Sequence, residues 1–106
     1  MRIAFTVAAL NGLDVLSADC EGAYLNAKPR KKLYTKCGPE FGELNGQWAL
    51  IVRALYGTAS AAASWRAAIS EVIESLGFKM FRADNDVWMR PAVKADGLEV
   101  YEYFLV

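Results

Sequence analysis

The stretch ASAAASWRAAISEVIESLG, residues 59–77, with DVWMRPAVKADGLEVYEYFLV, residues 86–106, decides the fold class. In the first, Trp65, Ile69, Val72, Ile73 and Leu76 recur at three- and four-residue intervals. They line one face of a helix predicted from roughly Ala59 to Leu76. Arg66, Glu71 and Glu74 lie away from that face, and Gly77 suits the position just past a helix end. In the second, Asp86–Val93 and Leu98–Val106 read as strands around Lys94-Ala95-Asp96-Gly97, and Asp-Gly is a favoured tight-turn pair. Upstream, residues 2–11 place Ile3, Val7 and Leu10 on one helical face, and Asn11-Gly12 stops that helix. Residues 13–19, LDVLSAD, read as a short buried strand. A short LYT strand and a GPEFG loop follow. Asn45-Gly46 is a turn leading to a strand over Trp48–Arg53. The order predicts one α+β domain over residues 1–106, a mainly antiparallel sheet with helices packed on one face.

Bulk properties narrow the chemistry. At 106 residues and 55% hydrophobic, the chain has the composition of a globular domain and not of a disordered one. Its formal net charge is zero, so no overall basic field advertises a polyanion partner. The run KPRKK, residues 28–32, is a local exception, readable as a solvated loop or as a contact for a template phosphate. With no histidine, serine–histidine, cysteine–histidine and histidine–zinc chemistries are excluded, and carboxylates must carry any catalysis. Cys20 and Cys37 read as free thiols of a reducing, intracellular compartment. No secretory signal is visible and no apolar run approaches a membrane span, so no membrane partner is expected.

The run SADCEGAYLNA, residues 17–27, sets Asp19 at the end of the expected strand and Tyr24 five residues later. Strand-end carboxylates hold divalent metals, and a nearby ring walls a substrate pocket. Either residue has an ordinary explanation: an aspartate that caps a turn, an aromatic that fills a core. Two further runs follow in order, RALYGTASAAASW, residues 53–65, and GFKMFRADNDVWMR, residues 77–90.

Together the three runs resemble the reverse transcriptase domain of copia-type retrotransposons, whose members read roughly DVxxAFLN or DxxxAYLN, then LYGLKQAPRAW, then a GF…ADPDVW stretch, then Y-x-D-D. The resemblance covers almost the whole chain, and three ordered motifs are far more specific than one. It implies part of a polymerase palm with part of the fingers. It implies two magnesium ions for nucleotidyl transfer, with an RNA template, a DNA primer and deoxynucleotides as partners, beside RNase H and integrase regions of a polyprotein. By this resemblance Asp19 is a catalytic metal ligand and the backbone carbonyl of Cys20 another. Gly22, Ala23 and Tyr24 would meet the incoming nucleotide, the ring colliding with a ribose 2′-hydroxyl. Gly57 and Ser60 would lie near template and nucleotide.

The chain departs from the family pattern where Ala59-Ser60 replaces Lys-Gln and Ala62-Ala63 replaces Pro-Arg. The helix keeps excellent formers, but its polar contacts are thinned. Asp84 and Asp86 read as turn and strand-start residues. The family's Y-x-D-D would follow directly after EYFLV, so one of three catalytic carboxylates is expected here and the chain alone is not expected to polymerise. A decayed or domesticated remnant acting through protein contacts is the alternative. The last strand would expose an edge carrying Tyr101, Tyr103, Phe104 and Val106, so marginal solubility is expected.

Overall fold

The computed structural model describes residues 2–106. They form two compact units, one made of the chain up to Cys20 together with Leu76–Val106, the other of Glu21–Ser75.

In the first unit, helix α1 spans Arg2–Leu10. It ends as its sequence predicts. Gly12 takes the left-handed conformation at φ 57°, which glycine adopts without a Cβ clash. The Leu13 N–H donates to the Ala8 carbonyl at 2.8 Å and the Gly12 N–H to that of Ala9 at 3.3 Å, a Schellman ending. Lys94 adds to it from the distant hairpin, its Nζ donating to the carbonyls of Asn11 at 2.6 Å and Gly12 at 2.8 Å. The helix buries none of its residues, so the expected packing of this helix on a sheet face is not realised. Its apolar residues Ile3 and Leu10 stand exposed.

Residues 13–20 correct a second expectation. They carry no strand hydrogen bonding, and Val15 and Leu16 are exposed, Leu16 at 94%. A strand exists through a neighbour's ladder, and no described strand of this chain pairs with these residues.

The sheet of this unit is an antiparallel meander of β3 (Lys79–Phe81), β4 (Asp84–Val93) and β5 (Glu99–Leu105). The hairpin between β4 and β5 matches its sequence reading. Gly97 takes φ 84°, the Asp96 carboxylate accepts the Leu98 N–H, and Lys94 and Leu98 close the loop. β3 is additional to that reading, a three-residue strand whose register shifts between Met80 and Phe81. Pro91 lies beyond the end of β3, where β4 has a neighbour on one side only, the position in which a strand tolerates proline. Met80, Trp88 and Phe104 form one cross-strand row, with Trp88 at 0% exposure. On this face Arg90 joins several groups. Its Nε donates to the Glu102 carboxylate at 2.6 Å and its Nη1 to the Leu76 carbonyl at 2.6 Å. The guanidinium lies 4.5 Å from the Phe78 ring centroid, and Phe78 meets Phe104 edge-on. The opposite face leaves Phe81, Tyr101, Tyr103 and Leu105 exposed.

The second unit holds a separate two-stranded antiparallel sheet, β1 (Leu33–Lys36) with β2 (Trp48–Ile51), so the described residues carry two sheets in place of one. The connection includes a 3-10 turn, Pro39–Leu44, broken at Gly42, and then Gly46 at φ 83°. Helix α2 spans Ala61–Ser75. Its buried residues are Ala61, Ser64 and Ile73, while Val72 and Leu76, expected on the packed face, are exposed. The reason is the partner of α2. A short 3-10 turn at Ala23–Asn26 packs against the helix, and Ala27, Ala54 and Ala61 form a buried cluster with Tyr24 and Ala68 against it. Small side chains permit that close approach; a stripe of large ones would hold it off.

Candidate functional site

The residues singled out by sequence fall into both units. In the Glu21–Ser75 unit, Gly22 adopts φ 59° and ψ 36° and opens the 3-10 turn. Its carbonyl accepts the Leu25 N–H at 2.8 Å and the Asn26 side-chain amide at 3.2 Å. That amide also reaches the Glu21 carbonyl at 3.2 Å, so Asn26 braces the turn from within. Ala23 and Tyr24 are half-buried in it, and the Ala27 N–H closes it on the Tyr24 carbonyl at 3.0 Å. The Ala54 N–H donates to the Ala27 carbonyl at 2.9 Å, tying the first motif to the second.

That tie sets up the contact the motifs share. Past Ala54 the chain makes a turn at Leu55–Thr58, with the Thr58 N–H and Oγ1 both donating to the Leu55 carbonyl. Gly57 sits at φ 87°, the third position of a type II turn, which demands glycine. The turn swings Tyr56 onto Tyr24. Their rings stack with centroids 4.5 Å apart and planes 27° from parallel, and Tyr56 remains 63% exposed. Ser60 follows half-buried, its carbonyl accepting the Ser64 N–H at the start of α2. Gly22, Ala23, Tyr24, Gly57 and Ser60 therefore all lie in one unit, around one buried alanine cluster. Tyr56 was not singled out for the site by sequence. The signal for it was present in the Tyr-Gly pair, which marks a turn that projects its tyrosine.

In the other unit, Asp19 and Cys20 are exposed and lie on the segment without ladder bonds. Cys20 is a free thiol; Cys37, in the Glu21–Ser75 unit, is free and buried. Among the described residues no three histidine, cysteine, aspartate or glutamate side chains converge as a metal-binding group. The described residues do not, on their own, fit a two-ion site. Asp84 takes the structural part expected of it, its carboxylate accepting the Asp86 N–H at 2.9 Å. Two open concavities, of about 400 and 440 Å³, are lined by Gly77 and residues of the β3–β5 meander, and include none of the residues named for the site.

No family model, no curated protein and no solved structure matches this chain. No described helix is long and apolar enough to cross a membrane.

Proposed function

We propose that this chain is a fragment of the RNA-directed DNA polymerase of a copia-type retrotransposon. The observation that carries this reading is the union of its first two motifs. Tyr24 of the first and Tyr56 of the second stack at 4.5 Å, and the Ala27–Ala54 hydrogen bond holds their backbones together. Motifs that are independent accidents of sequence have no reason to share a core.

In this reading the magnesium ions, the RNA template, the DNA primer and the deoxynucleotides belong to the intact parent, with RNase H and integrase beside it inside a cell. Asp19 contributes one carboxylate and Cys20 a carbonyl. The small residues Gly22 and Ala23 allow backbone to approach a triphosphate. Tyr24, held rigid by Tyr56 and the alanine cluster, discriminates against a ribose 2′-hydroxyl by steric exclusion. Gly57 and Ser60 stand near template and nucleotide.

A second reading, a non-catalytic remnant acting through protein contacts, draws on two observations. Ala59-Ser60 and Ala62-Ala63 replace the polar residues of the family motif, and no metal-binding cluster forms among the described residues. The deciding experiment sequences the locus onward from the Val106 codon and expresses the product. An in-frame Tyr-x-Asp-Asp, with magnesium-dependent deoxynucleotide binding that Asp19→Asn abolishes, supports the polymerase. A stop or frameshift supports the remnant, as does nucleotide binding indifferent to Asp19→Asn.

A further inference from the structure

We infer that the exposed face of the β3–β5 meander is an isologous interface at which two copies of this chain meet. The register sets Met89 beside Tyr103, Pro91 beside Tyr101 and Val93 beside Glu99, so alternation along the strands turns these six residues to one face. Trp88 turns to the opposite face and is fully buried. The meander thus uses one face for its own core and leaves Phe81, Tyr101, Tyr103 and Leu105 to solvent on the other.

This face is shaped as well as apolar. The concavities of about 440 and 400 Å³ adjoin at Pro91 and Tyr101, which line both, while Tyr103 lines neither. A hollow next to an exposed ring is the form an isologous contact needs, because under a twofold axis the ring of each copy enters the hollow of the other. Tyrosine, phenylalanine and methionine are also the residues enriched at the buried centre of interfaces.

Charge selects a second copy over other occupants. Lys79 and Arg82 line the larger concavity and Glu99 the other. All three are exposed, and none makes an ion pair among the described residues. Arg82 lies in the turn that leads into β4, and Glu99 pairs with Val93 at the far end of that strand. The face is therefore cationic at one end and acidic at the other. A partner of one sign leaves one end unmatched. A second copy, turned about a twofold axis that runs across the strands, matches both: Arg82 meets Glu99 and Glu99 meets Arg82. Zero net charge leaves no overall repulsion to hold the copies apart.

None of the residues named for the polymerase site belongs to this face, so the two readings are tested apart. The test is analytical ultracentrifugation of the full chain at low ionic strength, since salt screens exposed charges. Over roughly 1 to 500 μM the mass is expected to rise from one chain to two and stop there, as a small, weak interface allows. Arg82→Glu and Glu99→Arg are each expected to weaken the dimer about tenfold with an unchanged circular dichroism spectrum, because symmetry turns two attractions into two repulsions. An equimolar mixture of the two variants is expected to dimerise as the parent does, since each contact then joins opposite charges again. A chain that stays monomeric overturns the inference, and so does a mass that climbs past two without a plateau. Dimers indifferent to both reversals overturn it by placing the contact elsewhere, such as the edge of β5. Loss in both variants with no recovery in the mixture overturns the twofold pairing.

Discussion

Tyr24 and Tyr56, thirty-two positions apart in sequence, stack at 4.5 Å with their planes 27° apart. Each reaches the other through a turn that depends on a left-handed glycine, Gly22 before Tyr24 and Gly57 after Tyr56. Such a pair contributes about 0.5–1.5 kcal/mol beyond the area it buries. A double-mutant cycle with Tyr24→Ala and Tyr56→Ala, read by urea unfolding, is expected to return a coupling energy in that range. Additive effects would mean that the rings are neighbours without being partners.

Ser64 is 4% exposed, and its hydroxyl has no hydrogen-bond partner among the described residues. A buried unsatisfied hydroxyl costs about 1–3 kcal/mol, and alanine is the better helix former. Ser64→Ala is therefore expected to raise stability by about 1 kcal/mol, read as a higher urea midpoint at constant slope. A lower midpoint would reveal a partner for the hydroxyl.

Lys94 holds the end of a helix that has little else to hold it. Helix α1 has nine residues and buries none of them, and a helix that short is marginal on its own. Lys94→Met is expected to speed amide exchange in α1 by about tenfold, some 1.4 kcal/mol of local stability, while the β4–β5 amides stay protected. Uniform loss of protection across both elements would assign Lys94 a part in the whole unit instead.

Arg90 joins Glu102, the Leu76 carbonyl and the Phe78 ring. The Glu102 pair is partly exposed, so its ionic share is small and screened. The bond to the carbonyl and the ring contact carry more. Arg90→Lys, which keeps the charge and loses the planar fork, is expected to cost most of the roughly 1–2 kcal/mol that Arg90→Ala costs. Full retention of stability in Arg90→Lys would leave charge as the operative feature.

The meander leaves Phe81, Tyr101, Tyr103 and Leu105 exposed on one face, and one edge of β5 is paired by no described strand. Open apolar strands promote association. Tyr103→Lys is expected to raise the soluble fraction on expression and to lower light scattering at equal concentration. A sharp two-state melt of a soluble, monomeric parent chain would contradict this expectation.

Where a feature depends on neighbours in the chain, the residues alone revealed it. Asn11-Gly12 ends α1, Asp96-Gly97 turns the last hairpin, and Asp84 caps the turn into β4, each through local backbone geometry that one or two residue types can adopt. The α+β class follows from the same local signals. Side-chain periodicity proved a weaker guide, because it tells which residues share a face and not what meets that face. Val72, Ile73 and Leu76 share the apolar side of the expected helix, yet α2 ends at Ser75 and of the three only Ile73 is buried. Tyr24, from the turn at Ala23–Asn26, packs instead with Ala68 on the cluster that holds Ala61, where small side chains let the turn come close. LDVLSAD has a strand's composition and no strand's ladder, since hydrogen bonds between strands need a second segment in register. Tyr24 meeting Tyr56, and Lys94 reaching Asn11 from 83 residues away, belong to the same class. Contacts between distant segments depend on where whole elements come to rest, and no local pattern encodes that.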